Sequence, residues 1–201
     1  MYRSKQFYNY YRDIIIDIYL DYGIKTFPIK AKQLCRKMGI VLVPYSILKG
    51  EEFDLAYKRS NEGFYVPKTK DTPPMIYYND NEKEMMTNGR IRYTLFHEIK
   101  HYVCDDKEET EESEDAAKYF AKYMMCPIPY LVYNQKYYTG YEKIQRCFGT
   151  SLEVAQYLYR QLKNRINKYG NALFEKEVIL IDAIYDREFD VANYEVILKE
   201  E

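Results

Sequence analysis

Apolar residues recur at helical spacing in several separate stretches of the chain. Phe7, Tyr11, Ile14, Ile15, Ile18 and Tyr19 mark a first helix, and Gly23 sits where it would stop. A shorter helix follows Pro28, with Ala31, Leu34, Cys35 and Met38 on its apolar side, and ends at Gly39. Ile40 to Val43 reads as a strand closed by Pro44. Residues 45–62 give a mixed signal, with a short helix expected around Phe53 to Lys58. Gly63 to Val66 and Met75 to Tyr78 read as strands joined by a polar loop carrying Pro67, Pro73 and Pro74. Asn79-Asp80-Asn81 supplies turn chemistry after the second strand. A longer helix is expected from about Asn88 to Val103, then an acidic connection from Asp105 to Glu112, then a helix reaching Met125 and halted by Cys126-Pro127. Tyr141 to Phe148 and Leu152 to Lys168 continue the helical pattern, separated by Gly149. Thr150 and Glu153 would form a capping box, and Gly170 would end that helix. The run Val178-Ile179-Leu180-Ile181 fits either a strand or a helix.

The helix expected over 88–103 holds His97-Glu98-Ile99-Lys100-His101, a His-Glu-x-x-His pattern. Residues four apart share a helix face, so His97 and His101 can direct two imidazoles at one metal ion. Glu98 sits beside them, placed to take a proton from water rather than to ligate. This is the ligand spacing of a zinc hydrolase. The chain has two histidines and both lie in the motif, which weighs against an accidental spacing. Ile91, Leu95 and Phe96 before it and Val103 after it give the helix a buried character.

Composition narrows the setting. The 201 residues, 47% of them apolar and including 25 Tyr and 9 Phe, suffice for one domain with a substantial core. A formal net charge of -1 provides no global field toward nucleic acid or an anionic membrane. There is no apolar run long enough to span a bilayer, and Met1 to Gln6 lacks the apolar core of a signal peptide, so a cytoplasmic location is expected. The four cysteines, Cys35, Cys104, Cys126 and Cys147, show no pairing pattern and read as thiols in a reducing compartment.

Two histidines leave a catalytic zinc short of its three protein ligands. A third histidine does not exist, so the candidates are carboxylates or Cys104. In the helix after the acidic stretch, Ala117, Phe120, Ala121, Met124 and Met125 define the inward stripe. At about 100° per residue, Glu114 falls within roughly 55° of the stripe's centre, Glu111 lies about 110° away, and Glu112 and Asp115 point nearly opposite. A carboxylate turned toward an apolar face is costly unless paired or bound to a cation, which selects Glu114 as third ligand. The plainer reading makes it a negative charge suited to a helix N-terminus, the role left to Glu108 to Glu112 and Asp115.

These residues resemble a known family. Thr94-Leu95-Phe96-His97-Glu98-Ile99-Lys100-His101, followed by Glu114, Ala117, Phe120, Ala121 and Met124-Met125-Cys126-Pro127, looks like the ImmA/IrrE family of metallo-endopeptidases, over roughly residues 30–165. The resemblance implies that the first motif supplies two zinc ligands and the catalytic Glu98. It also implies that the carboxylate thirteen residues before Pro127, which is Glu114, is the third ligand. Many members carry a second Glu two residues later, where this chain has Ala116; Cys126 is likewise unusual before the proline. The implied fold is α+β, a mostly helical zincin-like domain with a small β-sheet beside the HExxH helix. The expected organisation is an N-terminal helix (1–28), a metallopeptidase domain with its C-terminal helical part (29–170) and a tail packed on it (171–201). The implied cofactor is Zn2+, and the implied partner is a protein substrate, a helix-turn-helix repressor whose site-specific cleavage relieves repression, as encoded on phages and mobile elements.

Met75, Ile76, Tyr77, Tyr78 and Asn79 form either a sheet edge that receives substrate as an added strand or an ordinary interior strand. The oxyanion donor would be a Tyr, Arg, Lys or backbone group. Two rival readings remain. One is a non-catalytic protein-binding module of the same fold, an anti-repressor or toxin–antitoxin component. The other is a DNA-reading helix-turn-helix over 141–168 using Arg146, Arg160, Lys163, Arg165 and Lys168, which a solvated helical face explains equally well. Direct nucleic-acid binding is therefore not expected, nor is membrane association.

Overall fold

The computed structural model describes residues 4–81, 88–106, 108 and 110–197. Among them the elements run α1 (Lys5–Asp21), α2 (Ala31–Lys37), β1 (Val41–Pro44), a 3-10 turn (Tyr45–Ile47), α3 (Glu51–Arg59), β2 (Gly63–Val66), β3 (Met75–Tyr78), α4 (Asn88–Val103), α5 (Glu111–Met125), α6 (Ile128–Tyr133), α7 (Tyr141–Phe148), α8 (Leu152–Tyr169), α9 (Glu175–Ile184) and a second 3-10 turn (Val191–Asn193). The architecture is α+β, mostly helical, with one small mixed sheet. The chain forms two compact units: Lys30–Met125, and the segments Met1–Ile29 and Cys126–Glu201 taken together.

The first unit contains the sheet, in the order β1-β3-β2. β3 runs parallel to β1, with Leu42 opposite Ile76, and antiparallel to β2, with Phe64 opposite Tyr77. β3 is thus the middle strand, and its backbone is engaged on both sides. Met75, Ile76, Tyr77, Tyr78 and Asn79 therefore offer no free edge to a substrate strand, which corrects the sheet-edge reading in favour of the interior one. Asn79 is closed in as well: its amide N–H donates to Glu62 O at 2.8 Å and its side-chain amide donates to Asn61 O at 2.9 Å. Alternation along the pleat separates the tyrosines. Tyr77 stacks on Phe64 with centroids 4.8 Å apart, in a cluster with Tyr45 and Ala56, while Lys32 Nζ lies 5.0 Å from the ring centroid of Tyr78.

α4 lies against β2 and β3, burying Ile91, Leu95, Phe96 and Ile99. Gly63 permits that closeness. A Cβ there would stand 2.7 Å from Tyr77 O and 2.8 Å from Thr94 Cγ2, and Thr94 is one turn before His97. α5 packs on α4, and Ala116, Ala117 and Ala121 are among the residues it buries. α4 ends in a reversal with a non-glycine residue in the left-handed region: Asp105 has φ 49°, Asp105 N–H donates to Tyr102 O and Asp106 N–H donates to His101 O.

In the second unit, α1 packs on α9, and Phe27 lies 4.8 Å, centroid to centroid, from both Tyr130 and Phe148. The Val178–Ile181 run is helical, inside α9; the Glu177 carboxylate accepts from Phe174 N–H and from Arg165 at 2.7 Å. The expected Thr150–Glu153 capping box does not form. The cap is one residue later, where Ser151 Oγ accepts from Val154 N–H at 3.2 Å, and Thr150 is buried. α6 lies in a stretch to which the sequence analysis assigns no element; its Pro129 stands in the first turn, where the missing N–H costs nothing. All four cysteines are free. No helix among the described residues is long and apolar enough to cross a membrane.

Gly63→Ala tests the fit of α4 to the sheet. The added methyl meets backbone, so the substitution should cost about 1–3 kcal/mol in urea unfolding.

Candidate metal centre

The two histidines project from the same face of α4, their rings 5.1 Å apart. α5 brings Glu114 to meet them from its first turn, where Thr110 Oγ1 accepts from Ser113 N–H and Thr110 O accepts from Glu114 N–H. The Glu114 carboxylate faces both rings: Oε2 is 3.3 Å from His97 Nε2, and Oε1 is 3.2 Å from His101 Nε2. Ligand-type atoms of His97, His101 and Glu114 all lie within 4.8 Å of one another. The helix-stripe argument and the observed position of Glu114 thus coincide. Cys104, the alternative donor, is not in this group, and burial pushes its thiol up to about 11.

Orientation comes from behind the rings. His101 Nδ1 is 2.8 Å from Asp106 Oδ2, so the acid holds one ring nitrogen and leaves Nε2 to face Glu114. Asp106 reaches this position because the left-handed Asp105 folds the chain back onto the end of α4. The local electrostatics favour the ligating forms. Burial, then the neighbouring His97, lowers the pKa of His101. The hydrogen bond with His97 holds the Glu114 carboxyl below its ordinary range, against the opposing effect of burial.

The centre opens into a cleft of about 280 Å³. Residues 59–64 make one wall, and Tyr93, Thr94, His97, Glu98 and His101 of α4 line it, with Glu114. Glu98 is 6% exposed and also borders a neighbouring recess beside Arg59, Tyr65 and Asp106. The wall is braced internally. Tyr45 OH donates to Ser60 O at 2.7 Å, and Ser60 Oγ accepts from the N–H groups of Glu62 and Gly63. At the entrance Arg90 pairs with Glu62, and Arg59 lies over the Phe64 ring, 4.2 Å from its centroid.

Of the residues singled out from the sequence, His97, Glu98, His101 and Glu114 meet at this cleft, and Met75 to Asn79 are not among its lining residues. The sequence reading did not find Asp106 or the wall from Arg59 to Phe64. Asp106 falls in the acidic connection from Asp105 to Glu112, to which the sequence reading assigns no role at this position; its place just past the end of the motif helix was the available signal. Most of the wall, Arg59 to Glu62, falls where the local pattern is mixed, and Gly63 and Phe64 open a strand whose neighbourhood to the motif helix no local pattern shows.

Compared with known proteins, the chain matches the family model described as the IrrE N-terminal-like domain, Peptidase_M78, over residues 35–159. Neither the curated proteins nor the solved structures compared with it contain a match. The matched span includes α4, α5 and every residue of the centre described above, and more than half of the sequence. The chain belongs to the IrrE N-terminal-like family of metallopeptidases.

Proposed function

We propose that the protein is a zinc-dependent endopeptidase that cuts a helix-turn-helix repressor at one site and so relieves repression. The observation that carries the reading is the convergence of two imidazole nitrogens and one carboxylate beside an open cleft, with a further acid, Glu98, in the cleft lining. The donor set fits the proposed ion. Two nitrogens and one carboxylate oxygen suit zinc, whereas calcium and magnesium take oxygen ligands. His97, His101 and Glu114 would hold the ion and leave a position open toward the cleft. When bound, it supplies Lewis-acid activation of water and of the scissile carbonyl.

The chain's own groups do the rest. Glu98 accepts the proton of the attacking water and delivers it to the departing amine nitrogen. Asp106 keeps His101 in the tautomer that presents Nε2. The substrate backbone is received at β2, the sheet edge that borders the cleft. The Asn79 N–H to Glu62 O bond fixes the alternation, so the Gly63 carbonyl and the Tyr65 N–H turn outward, while Ser60 Oγ holds the Gly63 N–H and Arg59 the Tyr65 carbonyl. A repressor as substrate places the enzyme in the cytoplasm.

The decisive experiment is incubation of the purified protein with the repressor encoded nearest to its gene. A discrete pair of fragments is expected with wild type and none with Glu98→Gln, which should retain its fold and its zinc. Cleavage by Glu98→Gln at the wild-type rate would remove the reading. In Glu114→Ala, metal analysis should find zinc content well below one per chain; unchanged stoichiometry rejects Glu114 as a ligand.

A further inference from the structure

Lys100 occupies an unusual place. It stands immediately before His101 on α4, and its side chain is 0% exposed, beside Leu95, Phe96 and Ile99, which are equally enclosed. An ammonium in such surroundings is expensive unless paired and hydrogen-bonded. Here it has two partners of special position. Nζ donates to Asp106 Oδ2 at 2.5 Å and to Ser113 O at 3.0 Å. Asp106 Oδ2 is the same oxygen that holds His101 Nδ1. Ser113 is the residue before Glu114, in the first turn of α5.

One buried ammonium therefore grips both sides of the centre. Through Asp106 it fixes the acid that orients His101, and through the Ser113 carbonyl it fixes the backbone that carries Glu114. One attachment point, Asp106, lies in the connection just past α4, and the other, Ser113, in the first turn of α5. To the Glu114–histidine contacts between α4 and α5 the lysine adds a polar tie to the α5 backbone itself, at Ser113 O. With it, the His101–Glu114 spacing is tied to hydrogen bonds that tolerate little.

We infer that Lys100 is a positioning residue for the metal centre, a clamp that sets the placement of His101 and Glu114 through Asp106 and the Ser113 carbonyl. The inference deepens the metal-centre reading and rests on it. An apolar side chain of similar length fills the same volume, and replacing buried charges by apolar groups is often tolerated in stability. Such a side chain grips neither partner. The clamp thus separates two quantities that a purely structural lysine would move together: stability of the metal-free fold and affinity of the site.

The test compares wild type, Lys100→Met and Asp106→Asn by zinc affinity from chelator competition, by the visible spectrum of the Co2+-substituted protein and by thermal unfolding without metal. Lys100→Met should bind zinc about 10- to 100-fold more weakly, in the range for disturbed outer-sphere partners, with an altered Co2+ spectrum. Its metal-free melting should change far less than that loss implies. Should Lys100→Met fail to fold, Asp106→Asn carries the test, since the amide preserves shape and weakens both grips; the same loss of affinity is expected. Wild-type affinity and spectrum in either folded variant would overturn the clamp. Failure of wild type itself to bind zinc or Co2+ would instead bring down the metal-centre reading, and the clamp with it.

Discussion

The register between α4 and α5 is the constraint on which the cleft depends. Each helix contributes an incomplete half: α4 has two imidazoles and no anion to complete the set, and α5 has a carboxylate that would be poorly placed on a buried face by itself. With α5 packed on α4, ligand-type atoms of both halves fall within 4.8 Å of one another. A helix shifted by one residue along its axis moves about 1.5 Å and turns about 100°, enough to carry a carboxylate oxygen out of reach of both rings. Local helix formation is therefore necessary for the centre and insufficient for it.

The sheet plays the complementary part. It is short, three strands of four residues each, and contributes no residue to the His97, His101 and Glu114 group. Its task is to seat α4 and to present a wall. Gly63 does both, being a point where the sheet admits the helix closely and the start of the strand beside the cleft. Tyr45 adds rigidity from the far side by tying down Ser60, whose hydroxyl in turn holds the first two N–H groups of the wall.

What could be read from the sequence and what could not divide along physical lines. Periodicity and terminators are local, and they located α4, α7, β2 and β3 at the observed residues. The grouping of three side chains was legible for the same reason: His97 and His101 are related by one helical turn, and Glu114 by its angle on the next helix. Strand order is not local. β1 pairs with β3 across more than thirty residues, so no nearby pattern reveals that β3 lies in the middle. Asp106 escaped notice because the reversal that returns it to His101 uses Asp105 in a left-handed conformation that usually announces itself with glycine. The cap of α8 was lost to a single-residue matter, a serine one position beyond a threonine.

The thiols have a consequence for chemistry at the centre. Burial raises Cys35 to about 12 and Cys104 to about 11, and lifts Cys126 well above its ordinary value. Near neutrality these sulfurs stay protonated, and a protonated sulfur is both a poor soft donor and a slow partner for peroxide. Cys104, three residues past His101, is one of them, so an oxidant that reaches this end of α4 meets a slow thiol rather than a thiolate.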